Sequence, residues 1–184
     1  MRGKVLVTRK CNKHCKGCKR NSRDIPLVMY EDIKKFDEIV ITGGEPMLIS
    51  ERCVELVHRL RFQGYTGKIY LDFSDASKVG RYWGADMIID EVDGIIFSLH
   101  YNAKKDKLKN DLRSLRKLDK YLKEHDRSGK EDILLMDSRV FTFEYAKSLT
   151  GGWKEIKGID WRQLNGLRIE MDEEVVFYDL EAEG

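Results

Sequence analysis

The chain has 184 residues, 41% of them hydrophobic and 36% charged, with a net charge of +2. That length fits one domain with a sizeable core, and so small a net charge does not by itself point to nucleic acid. No apolar run is long enough to span a bilayer, and with two prolines and no Ser/Gly-rich linker or repeat, residues 1–184 read as a single domain.

The opening run Met1-Arg2-Gly3-Lys4-Val5-Leu6-Val7 is too short for a signal peptide, and Lys4 to Thr8 predicts a buried parallel strand. Residues 9–23 form a polar loop carrying Arg9, Lys10, Lys13, Lys16, Lys19, Arg20 and Arg23. It reads either as a basic collar suited to an acidic electron donor or anionic substrate, or as a solvated loop face. Within it stands Cys11-Asn12-Lys13-His14-Cys15-Lys16-Gly17-Cys18, three thiols spaced C-x3-C-x2-C. Three thiols cannot all pair with one another as disulfides, but soft sulfur ligands on one short loop can reach one metal centre. Tetrahedral zinc would want a fourth protein ligand, with His14 as the nearest candidate. A four-iron cubane held by three cysteines would leave one iron open to a non-protein ligand. Clustered free thiols fit a reducing compartment, so the expected location is cytoplasmic.

Met29 to Phe36 predicts a short helix, with Ile33 and Phe36 facing inward and Glu31 and Asp32 in its first turn. Ile39 to Thr42 predicts a second strand, followed at once by Gly43-Gly44-Glu45-Pro46. The two glycines permit close backbone approach, and Pro46 fixes the exit direction. Ser50 is the expected N-cap of a helix over Glu51 to Gln63, ended by Gly64. Its apolar stripe of Cys53, Val54, Leu56, Val57 and Leu60 makes Cys53 a core thiol rather than a ligand. Lys68 to Phe73 predicts a third strand whose exit carries Asp72, Ser74 and Asp75. Polar groups at the C-terminal end of a parallel strand face the ligand crevice, although Ser74 or Asp75 could equally cap the segment that follows. Residues 76–90 read as helical or irregular. Gly94 to His100 is the fourth strand, with Ser98 near its end and His100 and Tyr101 at the rim.

Leu108, Leu112, Leu115, Leu118 and Leu122 recur at three- and four-residue steps and predict a long outer helix over 103–125. Its mixed charges suit a solvated face. Ile133 to Met136 is a fifth strand with Arg139 soon after, and in residues 150–184 Leu167–Met171 and Val175–Tyr178 suggest a hairpin, read as a sixth strand plus one extra or as a small cap. Strands alternating with helices predict a parallel α/β sheet with right-handed crossovers.

A C-x3-C-x2-C loop after the first strand and Gly-Gly-Glu-Pro after the second resemble the radical S-adenosylmethionine (radical SAM) superfamily. The resemblance covers residues 1–100 well and the remainder weakly. It implies that Cys11, Cys15 and Cys18 hold a [4Fe-4S] cluster. It also implies that SAM chelates the fourth iron through its amino and carboxylate groups, and that Gly43, Gly44, Glu45 and Pro46 shape the site of the methionine amino group. Asp72, Ser74 and Asp75 become candidates for the ribose or amino group of SAM. Ser98 is similar to the family's polar residue that reaches SAM, and Arg139 suits the SAM carboxylate or an anionic substrate. Gly17 stands where many members carry an aromatic, and the family's glycine-bearing pattern at the fifth strand is not clean, which leaves the adenine contacts unassigned.

The fold so implied is a shortened (β/α)6 partial TIM-like barrel. The chemistry implied is one-electron cleavage of SAM to methionine and a 5′-deoxyadenosyl radical, which abstracts hydrogen from a substrate the sequence does not identify. Flavodoxin or ferredoxin would supply the electron. Small size, Gly17 before the third cysteine and the absence of a further cysteine cluster are similar to activating enzymes of glycyl-radical proteins, the anaerobic ribonucleotide reductase activase among them, whereas Ser98-Leu99-His100 and the long fourth helix resemble the general superfamily. A reading of another class is a non-enzymatic zinc module of the three cysteines and His14.

Overall fold

A computed structural model describes residues 1–13, 25–100, 105–159 and 173–182. In chain order the elements are β1 (Arg2–Leu6), α1 (Tyr30–Ile33), β2 (Glu38–Thr42), a 3-10 turn (Pro46–Ile49) and α2 (Ser50–Phe62). There follow β3 (Lys68–Phe73), α3 (Trp83–Glu91), β4 (Gly94–Leu99), α4 (Lys105–Glu124), β5 (Ile133–Asp137), α5 (Phe143–Lys147), β6 (Glu155–Ile159) and β7 (Glu173–Phe177). The seven strands form one all-parallel sheet in the order β6-β5-β4-β3-β2-β1-β7. None of the helices among the described residues is long and apolar enough to cross a membrane.

The strand order dictates the layering. From β1 to β6 each strand lies beside its predecessor and the sheet grows in one direction, so right-handed crossovers set the helices on one face. Alternate side chains therefore meet different surroundings. Val5, Ile39, Ile41, Ile69, Leu71, Ile95, Phe97, Leu134, Met136 and Val176 enter a shared core with Ile33, Val57, Leu60, Ile88, Leu118 and Leu122. The opposite face carries Lys4, Leu6, Val40, Thr42, Tyr70, Asp72, Ser98, Leu135, Asp137 and Phe177. The register lays Lys4 beside Val40, Val40 beside Tyr70, Leu6 beside Thr42 and Ser98 beside Leu135. On that second face Lys4, Thr42, Ser98 and Asp137 are buried polar groups.

Several sequence expectations shift. The helix expected over Met29 to Phe36 is a single turn, with Asp32 accepting from the Met29 N–H at 3.1 Å. Ser50 is not an N-cap: Pro46 starts a 3-10 turn, Glu45 caps it by accepting from the Met47 N–H at 3.3 Å, and Ser50 begins α2 already inside the helical run. Cys53 lies in the core on α2 as expected, and burial pushes its thiol well above the usual range. Residues 76–90 resolve into the turn after β3 and most of α3. Val175–Tyr178, one arm of the expected hairpin, overlaps β7, which joins the sheet parallel to β1, and Val176 enters the core. The other arm, 167–171, lies outside the described residues. α5 and β6 had no counterpart in the sequence expectations.

Candidate functional site

The polar residues singled out by sequence gather at one edge of the sheet because every parallel strand ends there. β1 runs past Leu6 into Val7 and Thr8, which still follow β2: the Val7 N–H donates to the Thr42 carbonyl at 2.9 Å. The turn after β2 then bonds to the approach to Cys11. The Gly44 N–H donates to the Thr8 carbonyl at 2.7 Å, and the Glu45 N–H to the Lys10 carbonyl at 2.8 Å. This contact explains both glycines. Gly43 has φ of +138°, and a Cβ on Gly44 would sit 2.0 Å from the Lys10 carbonyl oxygen. The Gly-Gly-Glu-Pro turn and the backbone leading to Cys11 are thus one assembly. Pro46 is buried and opens the 3-10 turn that leads into α2.

Glu45 orients this turn. Its buried carboxylate accepts from the Ser74 N–H at 3.0 Å, the Ser74 hydroxyl at 2.9 Å and the Met47 N–H, tying the end of β2 to the exit of β3. Burial pushes the carboxyl up to about 7, against the pull of those three donors. Ser74 thus donates to Glu45 through both its backbone and its hydroxyl.

Cys11 is half-buried, and its Sγ accepts the Lys13 N–H at 3.3 Å. A backbone donor on sulfur favours thiolate, the form that ligates metal. The residues after Cys11 are held by two contacts: the Asn12 amide donates to Asp75, and Lys13 pairs with Asp111 on α4. Asp75 also accepts from the Ser77 N–H at 2.9 Å, so it serves both the turn after β3 and the cysteine loop. Burial raises its carboxyl, but the bonds from Ser77 and Asn12 and the Lys13 charge outweigh burial and hold it below the ordinary range. Cys15, Cys18, His14 and Gly17 lie outside the described residues, as does Tyr101. Among the described residues no three metal-ligating side chains converge.

Farther along the edge, the Ser98 hydroxyl donates to Asp72 at 3.1 Å, joining the ends of β3 and β4. Arg139 grips Asp137, with Nε donating to Oδ1 at 2.8 Å and a terminal nitrogen to Oδ2 at 2.6 Å. The forked pair anchors the guanidinium at the end of β5. Asp137 is fully buried and was missed in the sequence, although it ends a strand just as Asp72 nearly ends β3. His100 follows β4. Burial lowers its imidazole to about 4, aided by the Lys13 charge and opposed by Asp137 and Asp111, so it is neutral at neutral pH.

Glu181, beyond β7, was also missed. It accepts from the Thr8 hydroxyl at 2.9 Å and from Lys10 Nζ at 2.6 Å. No local pattern marks it, since its partners lie 173 and 171 residues away. The edge thus joins Cys11, the glycine turn, Asp72, Ser74, Asp75, Ser98, His100, Asp137, Arg139 and Glu181. In comparisons with known proteins, no family model matches the chain and no curated protein is significantly similar to it.

Proposed function

We propose that the chain is a radical SAM enzyme on an open, partial (β/α) barrel, with cluster and SAM at the C-terminal strand edge. The observation that carries this is the bonding of Gly44 and Glu45 to Thr8 and Lys10, which sets the Gly-Gly-Glu-Pro turn directly beside the first cysteine. The residues fit the group: a cysteine with a backbone N–H on its sulfur, and a polar edge reaching from β2 to β5. Cys11, Cys15 and Cys18 would hold a [4Fe-4S] cluster, and the turn Gly43 to Pro46 would receive the amino end of SAM. When bound, cluster and SAM supply one-electron cleavage of the sulfonium and a radical able to abstract hydrogen.

The chain's own residues do the rest. Glu45 locks the turn through Ser74, so its backbone rather than its carboxylate faces the amino group. Asp72 and Ser98 present a bonded acceptor and hydroxyl to a ribose. Asp137 fixes the Arg139 guanidinium at the end of β5, where it suits a carboxylate. Neutral His100 at the rim can donate or accept one hydrogen bond without adding charge. A flavodoxin or ferredoxin would deliver the electron, in a reducing cytoplasm where the thiols stay free.

Anaerobic reconstitution tests the proposal. The expected protein is brown, holds about four irons per chain and, once reduced, converts SAM to 5′-deoxyadenosine and methionine. A colourless protein with one tightly held zinc and no cleavage would establish the zinc module instead.

A further inference from the structure

The C-terminal run grips the approach to Cys11 from the side opposite the glycine turn. On the β2 side, Gly44 and Glu45 hold the Thr8 and Lys10 carbonyls. On the β7 side, Glu181 takes the Thr8 hydroxyl on one oxygen and the Lys10 ammonium on the other. The Thr8 hydroxyl in turn accepts the Lys10 N–H at 3.0 Å, so side chain and backbone of this step are fixed together. Three further contacts secure the grip. The Tyr178 N–H donates to the Leu6 carbonyl at 2.8 Å, the Arg9 guanidinium lies 4.4 Å from the centre of the Phe177 ring, and Asp179 accepts the Glu181 N–H at 3.0 Å. Cys11 is the next residue after Lys10, so any play in this step is passed to the first ligand.

We propose that Glu181 is a positioning residue for the cysteine loop: by clamping Thr8 and Lys10 it sets where the chain enters at Cys11, and docking of the C-terminal run is thereby coupled to retention of the metal. That a metal is held here at all, and which one, rests on the radical SAM reading; the clamp on Thr8 and Lys10 does not.

The full chain is compared with E181A, with E181Q and with E131A as a control. Glu131 is a comparably bonded carboxylate before β5, at the other edge of the sheet, accepting from Lys68 at 2.8 Å and from the Tyr70 hydroxyl at 2.7 Å. In metal-free protein, amide hydrogen exchange at Lys10, Gly44 and Glu45 is expected to quicken about tenfold in E181A relative to Val7, the change expected from losing a charge-assisted hydrogen bond. E181Q, which keeps an acceptor for Thr8, is expected to show a smaller change. In reconstituted protein, iron loss to a chelator is expected to quicken by a similar factor in E181A, while E131A lowers the melting temperature and moves neither readout. Equal acceleration at Val7, or E131A reproducing both effects, overturns the proposal. A wild-type chain that takes up no cluster overturns the iron half together with the radical SAM reading, and the exchange data still decide the clamp.

Discussion

At Gly44 the backbone of another segment occupies the space where a side chain would go. The nearest atom to a Cβ there would be the Lys10 carbonyl oxygen, which cannot swing aside as a long side chain could. G44A is therefore expected to cost about 1–3 kcal/mol by overpacking, measured by urea unfolding, and to loosen the approach to Cys11. The sequence reading expected close backbone approach to a ligand at this position; the crowding in the fold comes from the Lys10 backbone. Arg139 was legible and its partner was not: a carboxylate ending a strand stands out in sequence only if the strand end is placed to the residue, and the expected strand stopped at Met136, one short. Ser74 was evenly poised between capping and binding in the sequence; in the fold its N–H and hydroxyl both brace Glu45.

Elements with strong period were readable and elements at the margins were not. The leucine recurrence of α4 places Leu115, Leu118 and Leu122 in the core, and these bury against the sheet as the spacing requires. L118A is expected to destabilise the fold by about 2–5 kcal/mol, the cost of a buried leucine lost with its cavity, seen as a lower denaturant midpoint with an unchanged slope. β6 escaped notice because it is an edge strand with little buried surface, so no apolar alternation was needed to make it. Helix α5 escaped for a similar reason: it is five residues long, held by Thr142 accepting the Tyr145 N–H at 3.1 Å, a signal readable only in hindsight. β7 was visible as an apolar run but its partner was not, because pairing with β1 spans nearly the whole chain.

For the molecule as a whole, two groups at the site whose charged forms are disfavoured by desolvation bend the stability curve in opposite directions. Glu45 titrates near 7 when folded and near 4.5 otherwise, so the folded state binds more protons between those values and stability rises as pH falls from about 7 to about 4.5. His100 titrates near 4 when folded and near 6.5 otherwise, so the unfolded state binds more protons and stability falls as pH drops from about 6.5 to about 4. The wild-type curve is expected to be flat between about 4.5 and 6.5, where the two oppose each other. Urea unfolding of E45Q should reveal a loss of stability on acidification across that window, and H100Q a gain. Below it, Glu131, drawn down to about 2 by the bond from Lys68 first and then by those from Tyr70 and Lys154, adds a loss as pH falls from about 4.5. The alternation of strands and helices in the sequence foretold a parallel α/β sheet; the seventh strand and its place beside the first depend on contacts too distant in sequence for any local pattern to show.

That placement has a consequence for synthesis. A chain made from its amino terminus exposes the outer rim of β1 on the ribosome until residues 173–177 emerge, more than 160 residues after β1 itself. Until then the nascent chain carries an open, apolar β-edge, the kind that recruits wrong partners. Cells making this protein quickly should accumulate it as aggregate, and slower induction or cooler growth should recover it.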